Sequence, residues 1–459
     1  MSITETPSRT ETTPTPSLAD LAAGAKADRN RAVDLYRVGA MGLVALGHWM
    51  AVAIGVGDNG ELVAGNALQL APRLAFLSWL FQVMPLFFVV GGFSSAMSLD
   101  AHTASGGRPQ DWVAARLRRM VSPAMVLAAT WLGLLGLAYV VDNTLVDTTA
   151  GGGLTPLAAA GAVGAAIPLW FLANYTIDTA VAPYVLPLFR RRPRSVAVAG
   201  AGAFAALEAL RLTHPEGVLH WLPYLNWVLG WMLFQVMGFA WRDGLVPRGR
   251  KLVALAAGAW AAALAAVAFG PYPVAMVHFP GLANSPTHPP SAALMLYGIA
   301  TSATALAAAP AVSRFLAANR RAWSAVVAGN SVALSCYLWH LSAAVAASGL
   351  FYAAGWLPTA PVGSAAWWLQ KTPLMATAAV ILVGIVALVS RVERRALLAP
   401  RQAWKGGQAS MLATAAGLST GVKLWANPRA SLVTAGMVVV GLVWLTQLRV
   451  PRALRQPAR

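Results

Sequence analysis

RAVDLYRVGAMGLVALGHWM, residues Arg31–Met50, decides the class of fold. It is the first segment apolar enough to enter a bilayer, yet it carries Asp34, Arg37 and His48. Successive helical residues turn by about 100°, so an eleven-residue separation returns Arg37 and His48 to within about 20° of one face, about 16 Å apart along the axis. Ionisable groups inside a membrane segment are expensive and by default mark function with a buried partner. The competing reading is an arginine that snorkels from the helix end and a histidine satisfied by packing. The spacing alone balances the two.

The rest of the chain supports a membrane setting. Of 459 residues, 58% are hydrophobic and only 11% charged, against about 25% charged in an average soluble protein, and the mean hydropathy is +0.60. Apolar runs recur at roughly 35–56, 74–98, 121–141, 168–189, 195–212, 223–241, 252–269, 292–310, 325–350 and 372–390, each long enough to cross about 30 Å of hydrocarbon. Only helices and closed barrels satisfy their backbone in lipid, and the alternating ten-residue pattern of a barrel is absent. The expectation is an all-α, polytopic helical membrane protein of about ten transmembrane helices. The apolar, Gly/Ala/Pro-rich piece 154–167 is expected to be a re-entrant or interfacial element ahead of the fourth span.

The net charge of +18 invites a nucleic-acid partner, but its placement excludes one. Basic residues fall in short loops between apolar runs, with Arg108, Arg116, Arg118 and Arg119 in one and Arg190, Arg191, Arg192 and Arg194 in another. Arg242, Arg248, Arg250 and Lys251, then Arg314, Arg320 and Arg321, continue the series on the same side. The opposite side holds only Arg73, Arg211 and Lys371 against several acids and histidines. This asymmetry is the positive-inside rule and predicts both ends of the ten-helix core in the cytoplasm. Residues 1–30, rich in Thr, Pro and Ser, lack the apolar stretch of a secretory signal and read as a disordered cytoplasmic tail. Residues 31–395 form the core. Residues 396–459 make a basic C-terminal extension, with one further membrane helix at 431–448 or a hairpin pairing it with 408–425. The single cysteine, Cys336, excludes a disulfide framework. An excess of Arg over Lys, with abundant Ala and Gly, suits a GC-rich bacterial genome and hence a bacterial inner membrane.

Five stretches, in order, resemble one family. Arg37, ten residues, then His48 is similar to the first-helix Arg–His motif of the acyltransferase 3 family of integral-membrane acyltransferases. QVMPLFFVVGGFSSAMSL (82–99) resembles its F-F-x-x-S-G helix, with Gly91 where the family has Ser. WVAARLRRMVSP (112–123) carries its R-x-x-R spacing as Arg116 and Arg119. LWFLANY (169–175) and SCYLWHLSA (335–343) resemble its L-W-F-L and Y-L-W-H stretches. The resemblance covers about 30–395. It implies transfer of an acyl group, commonly acetyl from acetyl-CoA, to a hydroxyl of a glycan, glycolipid or secondary metabolite.

Chemistry gives these residues roles. Histidine's ordinary pKa of about 6.5 suits His48 to take a proton from an acceptor hydroxyl and return one to a thiolate, or else to carry the acyl group covalently. Arg37 could grip a CoA phosphate or fix the thioester carbonyl, with Asp34 at i−3 holding its guanidinium. Arg116 and Arg119 are read as binding CoA phosphates, against a reading as topological anchors. His340, with Tyr337 and Trp339 beside it, lies near mid-membrane. Either it lines a cavity or it is packed, donating to a neighbouring carbonyl. Asp178, in the fourth span, needs a partner or water and is a cavity candidate. Glu208 and Arg211 read as an intrahelical pair. GPYPVAMVHFPGLANSPTHPPSA (270–292) is a long outer loop and, with His278, a candidate part of the acceptor site. His278 and His288, ten residues apart without thiol or acidic neighbours, do not suggest a metal, and none is expected. The alternative function is a transporter or flippase with a buried Arg/His/Asp relay, though no internal symmetry supports it.

Overall fold

The computed structural model describes residues 30–56, 62–144, 153–214, 219 and 221–398. The tail and C-terminal segment that the sequence marks off at 1–29 and 399–459, including 431–448, lie outside the described residues. Helix α1 (Arg31–Ala51) is followed by strands β1 (Val52–Val56) and β2 (Leu62–Asn66), then by the short helices α2 (Ala67–Leu70) and α3 (Ser78–Phe81), with a 3-10 turn (Pro72–Leu77) between them. The long helices follow: α4 (Met84–Ala104), α5 (Pro109–Thr144), α6 (Leu154–Ala166), α7 (Leu169–Arg191), α8 (Pro193–Thr213) and α9 (Asn226–Arg242). The chain continues through α10 (Arg250–Phe269), α11 (Ala292–Ala318), α12 (Arg320–Ala353) and α13 (Ala365–Leu398).

The all-α membrane architecture is therefore present, but the count of ten spans is not confirmed. Among the described residues, eight helical segments are long and apolar enough to cross a membrane. Neither α1 nor α9 is among them. Three charged residues dilute α1, and α9 has only 17 residues. Other boundaries also moved. The first apolar run ends as helix at Ala51, because the β-branched VAIGV pairs antiparallel with Leu62–Asn66 in a hairpin. The second long helix starts at Met84, after short turns. The stretch 112–123 is not a loop but part of the 36-residue α5. The piece 154–167 is a helix leading straight into α7, and together they make a 38-residue apolar segment.

Polar side chains cap the starts of several helices, as orphan N–H groups require. Asn30 Oδ1 accepts from Val33 N–H, Ser291 Oγ from Leu294 N–H, and Asn319 Oδ1 from Ala322 N–H. Glycine sets the closest interior approach. A Cβ on Gly92 of α4 would lie 2.1 Å from the Gln235 carbonyl oxygen of α9, and one on Gly238 of α9 would lie 2.1 Å from Val89 O. Only residues without a side chain let these backbones meet.

At one end of the bundle Arg190 forks to Asp100 (2.7 and 2.9 Å) and to Asp243 (2.7 and 2.9 Å), tying together the ends of α4, α7 and α9. The Arg31 guanidinium lies 5.1 Å from the Trp323 ring, joining the starts of α1 and α12. This is the basic end. The hairpin and residues 270–291 make up the opposite, loop end.

Candidate active site

Because α1 stops at Ala51, His48 sits in its last turn, toward the loop end rather than at the mid-depth expected. Helix α12 packs along α1 and brings His340 to it. His48 Nδ1 and His340 Nε2 are 2.7 Å apart, with rings nearly parallel at 8°. The other nitrogen of His340, Nδ1, lies 2.5 Å from Tyr337 O. A carbonyl oxygen only accepts, so for neutral rings this contact assigns the His340 hydrogen to Nδ1. His340 Nε2 then accepts from His48 Nδ1–H, and His48 Nε2 is left with its lone pair. Trp49 Nε1–H donates to His340 O at 2.8 Å and Tyr337 Oη–H to Pro168 O at 2.8 Å, fixing α12 against α1 and the start of α7.

His48 lines a cavity of about 330 Å³. Trp170, Trp227, Trp368, Tyr337, Gln82, His278 and His288 share its walls. Residues 270–291 form one side and are held there by their backbone. Gln82 Nε2–H and Trp79 Nε1–H donate to Met276 O and Val274 O, each at 2.7 Å, and Met276 N–H donates to Ser78 Oγ at 2.7 Å. Glu208 anchors the rest. It pairs with Arg211 at 2.8 and 2.9 Å, as i,i+3 spacing predicts, and accepts from Tyr272 Oη–H at 2.9 Å and Ala292 N–H at 3.1 Å. Within this loop the His278 and His288 rings stack 5.1 Å apart, and His278 Nδ1 is 3.0 Å from Ser285 Oγ. Burial holds the His278 pKa below its ordinary 6.5. Among the described residues no three His, Cys, Asp or Glu side chains are grouped to hold a metal.

A second polar cluster lies near the basic end. Arg37 is 3.5 Å from Asp34, as the i,i+3 spacing suggests, and its Nη2 donates to Ser94 Oγ at 2.6 Å. Arg116 donates to Ser98 Oγ at 2.6 Å, to Ser94 O at 3.0 Å and to Ser95 Oγ at 3.4 Å, with its guanidinium 4.8 Å from the Trp112 ring centroid. Arg119, one turn on, is exposed. Ser94 thus joins Arg37 of α1 to Arg116 of α5. Arg37 and His48 belong to two different clusters at opposite ends of α1.

The model of an acyltransferase-domain family matches residues 30–392, almost all of the described chain. The chain belongs to the acyltransferase 3 family. It is a multi-pass membrane acyltransferase. No curated protein and no solved structure matches it.

The acyltransferase motifs are thus distributed between two clusters. The Y-L-W-H stretch supplies His340 to His48, and the Arg37, R-x-x-R and F-F-x-x-S-G stretches meet around Ser94. At Gly91, where the family pattern has Ser, a Cβ would lie 2.7 Å from the Tyr175 ring, so the phenol of α7 fills that space. Asp178 is fully buried in α7 with both carboxylate oxygens unpartnered among the described residues, and it does not line the His48 cavity. The sequence reading missed Ser94, Ser98 and Tyr175 as cluster members. It also missed Lys371, although an isolated cation on the acidic side of the charge pattern was a signal that it had a local task.

Proposed function

We propose that this acyltransferase moves an acyl group, acetyl in the simplest case, from acyl-CoA in the cytoplasm to a hydroxyl of a glycan, glycolipid or secondary metabolite held in the loop-end cavity. The observation that carries this reading is the His48–His340 pair. It supplies a neutral imidazole whose second nitrogen is free, beside a cavity with aromatic walls and scattered polar groups, the usual make-up of a small-molecule site. His48 Nε2 takes the acceptor's proton as its oxygen attacks the thioester carbonyl. The C–S bond breaks, and the proton passes from His48 to the departing thiolate sulfur. His340 holds His48 in the required tautomer and shares the positive charge that develops during the step.

The basic end faces the cytoplasm in this proposal, with the N-terminus inside and the bundle in a bacterial inner membrane, which the charge asymmetry supports. Arg37 and Arg119 bind the phosphates of CoA, since a guanidinium fork matches phosphate oxygens. Arg116 seats the adjoining serines. The rise of α1 puts Arg37 about 16 Å from His48, a separation suited to an extended pantetheine arm. His278 and Gln82 offer hydrogen bonds to the acceptor across the cavity. The test is release of CoA from labelled acyl-CoA by purified protein in lipid nanodiscs, with and without a membrane extract as acceptor source. Release should require both the acceptor and His48. A well-inserted H48A protein with near-parental turnover would refute the proposal, and movement of substrate without acyl transfer would favour a transporter.

A further inference from the structure

Where α1 gives way to β1, the last helical carbonyls lose their intrahelical donors. Val52 N–H closes on His48 O. The carbonyls that follow are met from another helix. Lys371, in the second turn of α13, donates from Nζ to Met50 O at 2.9 Å and to Val52 O. Its residue is only 3% exposed, and Nζ lies 4.3 Å from the Trp367 ring centroid and 5.9 Å from that of Trp368, a wall of the His48 cavity. The C-terminus of a helix and the faces of two indoles each favour a cation. Removing an ammonium from water is nonetheless expensive, and an apolar side chain would fill the same volume without that cost.

What the ammonium adds is a fixed end to α1. Met50 and Val52 flank Ala51, and His48 is two residues before the first of them. At 2.7 Å the His48–His340 contact has little slack, because hydrogen bonds weaken steeply with misalignment. Trp49 ties α1 to α12 on one side, and Lys371 ties it to α13 on another.

We propose that Lys371 is a positioning residue for His48: by gripping the carbonyls on either side of Ala51 it seats the His48 ring against His340. This rests on the assignment of His48 as the base. K371M removes the grip and keeps an unbranched side chain. Misplacement of a reacting group by about 1 Å can cost about 100-fold, so kcat should fall by about 10- to 100-fold while the KM for acyl-CoA, bound at the other end of α1, stays at the parental value. K371R, which retains a cation with several donors, should recover part of the loss. The readout specific to positioning is the nitrogen NMR signature of the His48 imidazole in protein labelled at histidine, assigned by its loss in H48A. It should move in K371M and return toward the parental position in K371R. Parental kcat in folded K371M, or a lower kcat with unmoved His48 signals, overturns the proposal. Where K371M does not fold, K371Q replaces it, and unmoved His48 signals there count equally against it. An active H48A overturns the proposed function, whereas the response of the His48 signals to K371M is read separately and concerns only the positioning contact.

Discussion

Replacing His340 with alanine tests the chemistry at its most specific point. The substitution removes the acceptor 2.7 Å from His48 Nδ1 and leaves a buried N–H without its partner. A lost partner for a buried neutral donor costs about 1–3 kcal/mol. If that penalty falls on the transition state, where His48 must hold its proton on Nε2 and its charge is shared through Nδ1–H, kcat falls by about 5- to 150-fold at about 1.4 kcal/mol per factor of ten. H340Q gives the internal control: its side-chain carbonyl can accept from Nδ1–H, so it should retain more activity than H340A although both remove the imidazole. The assay is CoA release by protein in nanodiscs at saturating acyl-CoA and acceptor, after a size-exclusion check that each variant is folded. Folded H340A turning over at the parental rate refutes the dyad. Equal losses in H340A and H340Q would show that the acceptor on Nδ1–H is not what matters.

Other outcomes follow from the same geometry. R119A should raise the KM for acyl-CoA by about 10- to 100-fold, the worth of one charge-assisted hydrogen bond, with little change in thermal stability. R116A should lower stability as well, because Arg116 is engaged with Ser94, Ser95, Ser98 and Trp112; parallel acyl-CoA titrations and melting curves separate the two. Burial lowers the pKa of His278 in the fold below the unfolded value of 6.5, so its contribution to stability is present above that pH and is lost as pH falls through the folded value. The 270–291 wall should therefore loosen in acid, raising the acceptor KM there and not the acyl-CoA KM, and H278N should flatten that dependence. A flat acceptor KM in the parent down to the acid limit of folding would contradict it. G92V should lower the melting temperature strongly, since even its Cβ meets backbone oxygen at 2.1 Å; a variant as stable as the parent would show that α4 and α9 do not approach so closely.

The helices were legible because bilayer thickness dictates runs near twenty apolar residues, and the long helices fall within those runs to within a few residues except at 52–56 and 74–83. There the hydropathy signal continued while the structure changed. VAIGV is as apolar as the helix before it, and hydropathy does not distinguish a β-branched strand from a further helical turn. The pairing of His48 with His340 was illegible for another reason. The two are 292 residues apart, and no periodicity within one helix carries information about a neighbour so distant in sequence. The two readings of His340 were not true alternatives. It does donate to a nearby carbonyl, and that bond frees Nε2 for His48. Asp178 shows the reverse case: a buried carboxyl in a spanning helix suggested a cavity wall, whereas the helix turns it away from the cavity that His48 lines.

The departure at Gly91 can be argued further, because the space beside it is taken. A Cβ there would sit 2.7 Å from Tyr175 Cε2 and 2.9 Å from its hydroxyl oxygen, so a serine at 91 and the tyrosine in its present place exclude one another. The phenol belongs to the α7 stretch that follows L-W-F-L, and its hydroxyl reaches toward Arg116. The hydroxyl that the family pattern carries on α4 is thus contributed in this chain from α7, toward the same guanidinium. Overpacking of this kind costs about 1–3 kcal/mol. G91S alone, although it restores the family residue, should lower the melting temperature and raise the acyl-CoA KM. G91S combined with Y175A, which clears the space and returns the hydroxyl to α4, should recover stability relative to G91S. Were G91S by itself as stable as the parent, Tyr175 would have to swing aside freely, and the exclusion of one residue by the other would fail.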